Sequence, residues 1–114
     1  MHAVWNENSA RVPSGSDIMY SQRTAGGSWT APVPATSDYG YSDYPDVAVG
    51  SDGTAHLVWE NYYDIYHASK APGGSWTAGS KISSSRNVAE WVQVAVDAGG
   101  NVHAVWRWNR DQWG

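Results

Sequence analysis

Three tryptophans end copies of one short motif: Trp5 in His2-Ala3-Val4-Trp5, Trp59 in His56-Leu57-Val58-Trp59 and Trp106 in His103-Ala104-Val105-Trp106. An indole face stacks on the C–H face of a sugar ring when nearby polar groups take the hydroxyls. Such groups are close: Glu7 lies two residues after Trp5, Glu60 directly after Trp59 and Arg107 directly after Trp106. They differ between copies, which argues against a strictly repeated site. Further aromatics crowd two tracts, Tyr39, Tyr41 and Tyr44 in one and Tyr62-Tyr63 in the other, and a tail running from Trp106 through Trp108 to Trp113. The candidate ligand contacts are therefore Trp5, Trp59, Glu60, Tyr62, Trp106, Arg107 and Trp108. A packed core makes the same demand for Trp at a recurring strand end, and the tail aromatics equally suit packing against a neighbouring chain.

Other chemistries find less support. His2, His56 and His103 mark one repeated position, and equivalent positions of successive repeats stand too far apart to converge within about 2 Å of one ion. A hydrogen bond to a neighbouring turn suits them better. Asp46, Asp52 and Asp97 lack a calcium-loop spacing. Neither a metal nor a cofactor is expected. The five arginines, Arg11, Arg23, Arg86, Arg107 and Arg110, are scattered, and nothing among Glu7, Glu60 and Glu90 selects a pair of carboxylates for acid–base work. The expectation is binding without catalysis.

Composition narrows the partners. The chain has 114 residues, a net charge of -4, no cysteine, 8 Trp and 7 Tyr but no Phe. One small domain fits that length, disulfides and thiolate sites are excluded, and the acidic balance disfavours nucleic acid. No stretch approaches the roughly 18 apolar residues of a membrane span, and the opening residues lack the basic flank and apolar run of a secretory signal. The preference for Trp and Tyr over Phe suits a half-wet binding surface.

The elements that must position these residues come in repeats. Asp17–Trp59 overlies Asp64–Trp106 at an offset of 47 residues with 16 identities in 43 positions, including Gly26-Gly27-Ser28-Trp29-Thr30 against Gly73-Gly74-Ser75-Trp76-Thr77. The first HxVW copy stands 54 residues before the second, the extra seven falling in the polar stretch 6–16. Each period holds four short β-prone segments separated by turn residues. Asp52-Gly53 predicts a type I′ hairpin turn, and Gly99-Gly100 keeps its chemistry. The segment 87–96 has an ambiguous pattern, but its repeat partner contains Pro45, which votes for a strand.

A period of 40 to 50 residues with four strands is the mark of a β-propeller blade. The chain resembles the sialidase-like and BNR-type propellers, whose Asp-box turn is echoed by Ser69, Gly73 and Trp76, with Ala71 where the box has Asp. In the other copy Gln22 and Thr24 replace the Ser and Asp, while Gly26 and Trp29 are kept. The resemblance implies that Trp29 and Trp76 plug blade edges, and it tilts an otherwise open compartment toward an extracellular one. The expected fold is all-β, a single partial propeller unit over 1–114. Its repeats cover 1–46 (incomplete and permuted), 47–93 and 94–114 (incomplete), about two four-stranded blades with a surplus final HxVW strand. Two blades do not close a ring, so the chain either associates head to tail, three copies making six blades, or is a piece of something longer. In size, repeat count and Trp content it is similar to small two-repeat fucose-binding lectins. That likeness implies glycan binding at Trp-lined sites between blades or in loops; the alternatives are a protein-interaction module and an inactive piece of a sialidase-like protein.

Overall fold

The computed structural model describes residues 1–8, 15–36, 41–84 and 88–109, the side chains of Asn8, Val88, Trp108 and Asn109 excepted. These residues carry strands β1 (His2–Asn8), β2 (Ser16–Gln22), β3 (Val33–Pro34), β4 (Ser42–Val49), β5 (Ala55–Asn61), β6 (Asp64–Lys70), β7 (Ser80–Lys81), β8 (Val88–Val96) and β9 (Val102–Asn109). They form three antiparallel sheets, ordered β1-β2-β3, β4-β5-β6-β7 and β8-β9. The protein is all-β as described, and the ambiguous segment is strand β8, as its repeat partner implied. The HxVW copies are β1, β5 and β9; the 47-residue offset also maps β2 on β6, β3 on β7 and β4 on β8.

The central sheet is buried on both faces, so Leu57-Val58-Trp59 in strand β5 is an apolar run without alternation. Leu57 and Trp59 join Ala68 in a core against Ile18, Tyr20 and Ala35 of the first sheet, with Val4, Tyr66 and Trp76 packed on it. Val58, between them in sequence, points the other way and packs with Ile65 against Ala89 and Val92 of the third sheet, where Val94, Ala104 and Trp106 close in. Each fully buried Leu, Ile or Val among them contributes roughly 1.5–3 kcal/mol by leaving water. Polar bonds tie the layers at matching places: Asn6 Nδ2 donates to Asp43 Oδ1 at 3.1 Å, the Trp91 N–H to Glu60 Oε2 at 2.9 Å and the Val94 N–H to Asp46 Oδ2 at 2.9 Å.

The hairpin turns differ from the expected type. Gly53 N–H closes on the Gly50 carbonyl at 3.0 Å and Gly53 alone has a positive φ of 86°. The turn thus runs over Ser51-Asp52, with ordinary φ, followed by a left-handed glycine that restores the register, the pattern of a three-residue hairpin loop. Gly100 repeats it on the Asp97 carbonyl, at 3.0 Å and with a φ of 83°. A Cβ on Gly53 would also come within 2.8 Å of Pro72 Cγ.

The three equivalent histidines each take a local hydrogen bond. His2 Nδ1 meets the Tyr20 hydroxyl at 2.7 Å, His56 Nδ1 meets His67 Nε2 at 3.1 Å, and His103 Nε2 meets Asp97 Oδ2 at 3.1 Å. Burial holds His2 and His67 below the usual imidazole range. His103 and Asn101 hold the Asp97 carboxyl at about 2.

Two pairs of repeat-equivalent positions diverge where no further sheet lies beside them among the described residues. Trp76 packs edge-on to Tyr20 at 5.0 Å, whereas its counterpart Trp29 is 44% exposed under Arg23. Val58 is fully buried, whereas its counterpart Val105 is 64% exposed. The outward faces of the first and third sheets thus carry residues that their equivalents bury.

Candidate functional site

A pocket of about 380 Å³ opens at the end of the central sheet where β4 begins and β5 turns into β6, lined by Tyr41, Asp43, Tyr44, Glu60, Tyr62 and Tyr63. Its size falls in the roughly 300–1,000 Å³ range of small-ligand sites. Asp43 and Glu60 are direct cross-strand partners, as are Ser42 and Asn61 beside them. Tyr41 stands edge-on to Tyr62, ring centroids 6.3 Å apart at 89°.

Local backbone geometry delivers the aromatics. The ladder between β4 and β5 slips between Asp43 and Asp46, and Tyr44 in this bulge takes a φ of 51° just before Pro45. Proline has no N–H to offer the ladder, so a bulge is where a strand tolerates it. The same slip recurs between Glu90 and Gln93, with Trp91 at 57°. Asn61 pairs with Asp64, leaving Tyr62-Tyr63 as a two-residue turn with φ of 48° and 68°. Positive φ at both positions is the type I′ turn, which normally selects Asn-Gly. Each left-handed non-glycine residue costs roughly 1–2 kcal/mol, and such strain gathers at functional sites. Three of the four strained aromatics line this one pocket.

The site is acidic. Among the described residues neither carboxylate forms an ion pair with Lys, Arg or His. Asp43 accepts from Asn6 and, at 3.3 Å, from Ser16 Oγ. Burial pushes the Glu60 carboxyl above the usual range; the charges of Glu90 and Asp43 add to the rise, and the Trp91 N–H opposes it. The arrangement offers carboxyl oxygens to hydroxyl or ammonium donors and ring faces to C–H groups.

The residues named from sequence divide between this pocket and the packing. Glu60 and Tyr62 come together in it. Trp59 is 1% exposed and stacked on Tyr66 at 5.8 Å, which leaves no indole face for a ligand. Trp106 is half-buried against the second core. Trp5 is half-buried on β1 opposite Met19. Arg107 lies 4.8 Å over the Trp91 ring, its Nε 3.6 Å from Glu90, on the third sheet. Trp108 sits opposite Ala89 on β9, its side chain outside the described part, as are Tyr39 and Trp113. Asp43 was missed, and its signal was available: it is flanked by Tyr41 and Tyr44 in one of the two tyrosine tracts. Among the described residues, no three His, Asp or Glu side chains come close enough to hold a metal ion. Compared with known protein families, curated proteins and solved structures, the chain matches none.

Proposed function

We propose that the protein binds carbohydrate at the tyrosine-walled pocket. The observation that carries this is the convergence of four exposed tyrosines on two carboxylates in one cavity, since sugars present C–H faces to aromatic rings and hydroxyls to fixed acceptors. Strained backbone at the same aromatics supports selection for a surface over selection for stability. Binding without turnover is the simplest use of the site, because one oxygen of Glu60 is committed to the Trp91 N–H. A glycan array probed with the labelled chain tests the idea. Saccharide binding is expected, weakened at least tenfold by Tyr62→Ala or Tyr44→Ala, both of which remove a largely exposed ring. Silence across fucosylated, sialylated and unsubstituted glycans would sink it, and binding untouched by both variants would move the site elsewhere.

The sheets are proposed to be blades of a propeller, with copies joined head to tail so that the outer face of the third sheet receives the first sheet of the next copy. The exposure of Val105 and Trp29, whose equivalents are packed, supports a cover of this kind. Three copies would supply six blades, and identical sites around a ring would convert weak affinity into avidity. Light scattering over a concentration series should give about three chain masses. A monomer at all concentrations would overturn the ring and leave the open faces to a different protein, the interaction-module alternative.

A further inference from the structure

We infer that the pocket selects a saccharide carrying a free ammonium group, an amino sugar that is not N-acylated, over neutral and anionic sugars. This rests on the carbohydrate reading and makes its ligand specific. Among the described residues the lining consists of four tyrosines and two carboxylates, with no lysine, arginine or histidine. Tyrosine faces attract cations through the ring quadrupole, and walls of several aromatics form the usual cage for organic ammonium groups. A neutral sugar uses the ring faces but brings no charge to the two acids of the lining.

The acids supply the second half of the argument. Asp43 and Glu60 stand directly opposite across β4 and β5, where like charges oppose one another. Glu60 is 7% exposed, and the nearby charges of Asp43 and Glu90 make its ionised form harder to hold. A cation seated between the tyrosines would offset that repulsion. The chain's net charge of -4 works in the same direction at longer range. An anionic sugar would meet the same two carboxylates as repulsion. Arg107, the counterpart of Glu60 in the third sheet, is already engaged with Glu90 and Trp91.

Calorimetry on the full chain with chitosan tetramer and chitin tetramer, equal in length and differing in N-acetylation, gives the comparison, with choline as a sugar-free cation. The free amine is expected to bind at least tenfold tighter than its acetylated twin, with the gap narrowing in 0.5 M salt, roughly three times the physiological ionic strength, as screening shortens. Glu60→Gln and Asp43→Asn, near-isosteric changes whose folding is checked by thermal melt, should each shrink the preference to about threefold or less while sparing the acetylated ligand. Equal or tighter binding of chitin tetramer overturns the charge preference and leaves carbohydrate binding intact. Binding of choline without either tetramer upholds the cation site and overturns its saccharide. A preference that survives both variants overturns the role given to the carboxylates, and no binding of any of the three overturns the inference outright.

Discussion

Trp59→Ala should lower folding stability by about 3–5 kcal/mol, the usual cost of emptying a buried aromatic site. A domain of this size has only about 5–15 kcal/mol in total, so much of the variant would be unfolded at physiological temperature. The expectation follows from position. Trp59 is the largest fully buried side chain among the described residues, it stacks on Tyr66, and it fills the layer between the first and central sheets together with Leu57 and Ile18. Its indole N–H has no acceptor among the described residues, so the residue contributes by volume and ring contact rather than by a hydrogen bond. Trp59→Phe, which keeps a ring against Tyr66 and deletes that N–H, should cost less than half as much. Urea unfolding followed by circular dichroism makes the measurement. A loss under about 1 kcal/mol for the alanine variant would remove Trp59 from the core and return it to the candidate ligand contacts.

The double replacement Tyr62→Asn with Tyr63→Gly should act in the opposite direction, raising stability by about 2 kcal/mol while abolishing pocket binding. Both residues hold left-handed φ that Asn and Gly adopt at little cost. Both rings are more than half exposed, so their removal forfeits little packing. At roughly 4 °C per kcal/mol for a chain of this length, the melting temperature should rise by about 8 °C. Stabilisation with loss of binding is the signature of backbone strain kept for a surface. A fall in melting temperature would mean that these rings support the fold, and retained binding would remove the turn from the site.

Strand number, repeat offset and the strand identity of β8 were legible because duplication lets one copy disambiguate another: Pro45 decides what the segment around Trp91 can be. The two-sided burial of β5 was not legible from β5 alone. Trp5, Trp59 and Trp106 are the same residue at the same strand end, yet their burial differs: Trp106 also packs against a neighbouring sheet, but only Trp59 has Tyr66 of a third strand stacked on it among the described residues. The pocket was half legible. Glu60 and Tyr62 stood out by type, but their meeting with Asp43 and Tyr44 depends on strand pairing and on a one-residue slip that hydrophobic pattern does not reveal. One signal was present and unread: Asn8 and Asn109 occupy the place of Tyr62 in the other two copies, so the central copy has exchanged a turn-favouring residue for an aromatic one.

The bulge that brings Tyr44 to the pocket also governs what the sheet edge can do in a crowded solution. Strand β4 is the border of the central sheet, and a foreign strand laid along it would lose its register at Tyr44-Pro45 and find no N–H at the proline. Strand β8 borders the third sheet and carries the same interruption at Trp91. Strand β1, paired without a slip from His2 to Asn8, has no such guard on its outer edge. In a chain so rich in aromatics and so lightly charged, the interrupted borders resist templated cross-β growth. Strand β9, the other border of the third sheet, likewise carries no bulge, so a fibre seeded by this protein would start from β1 or β9.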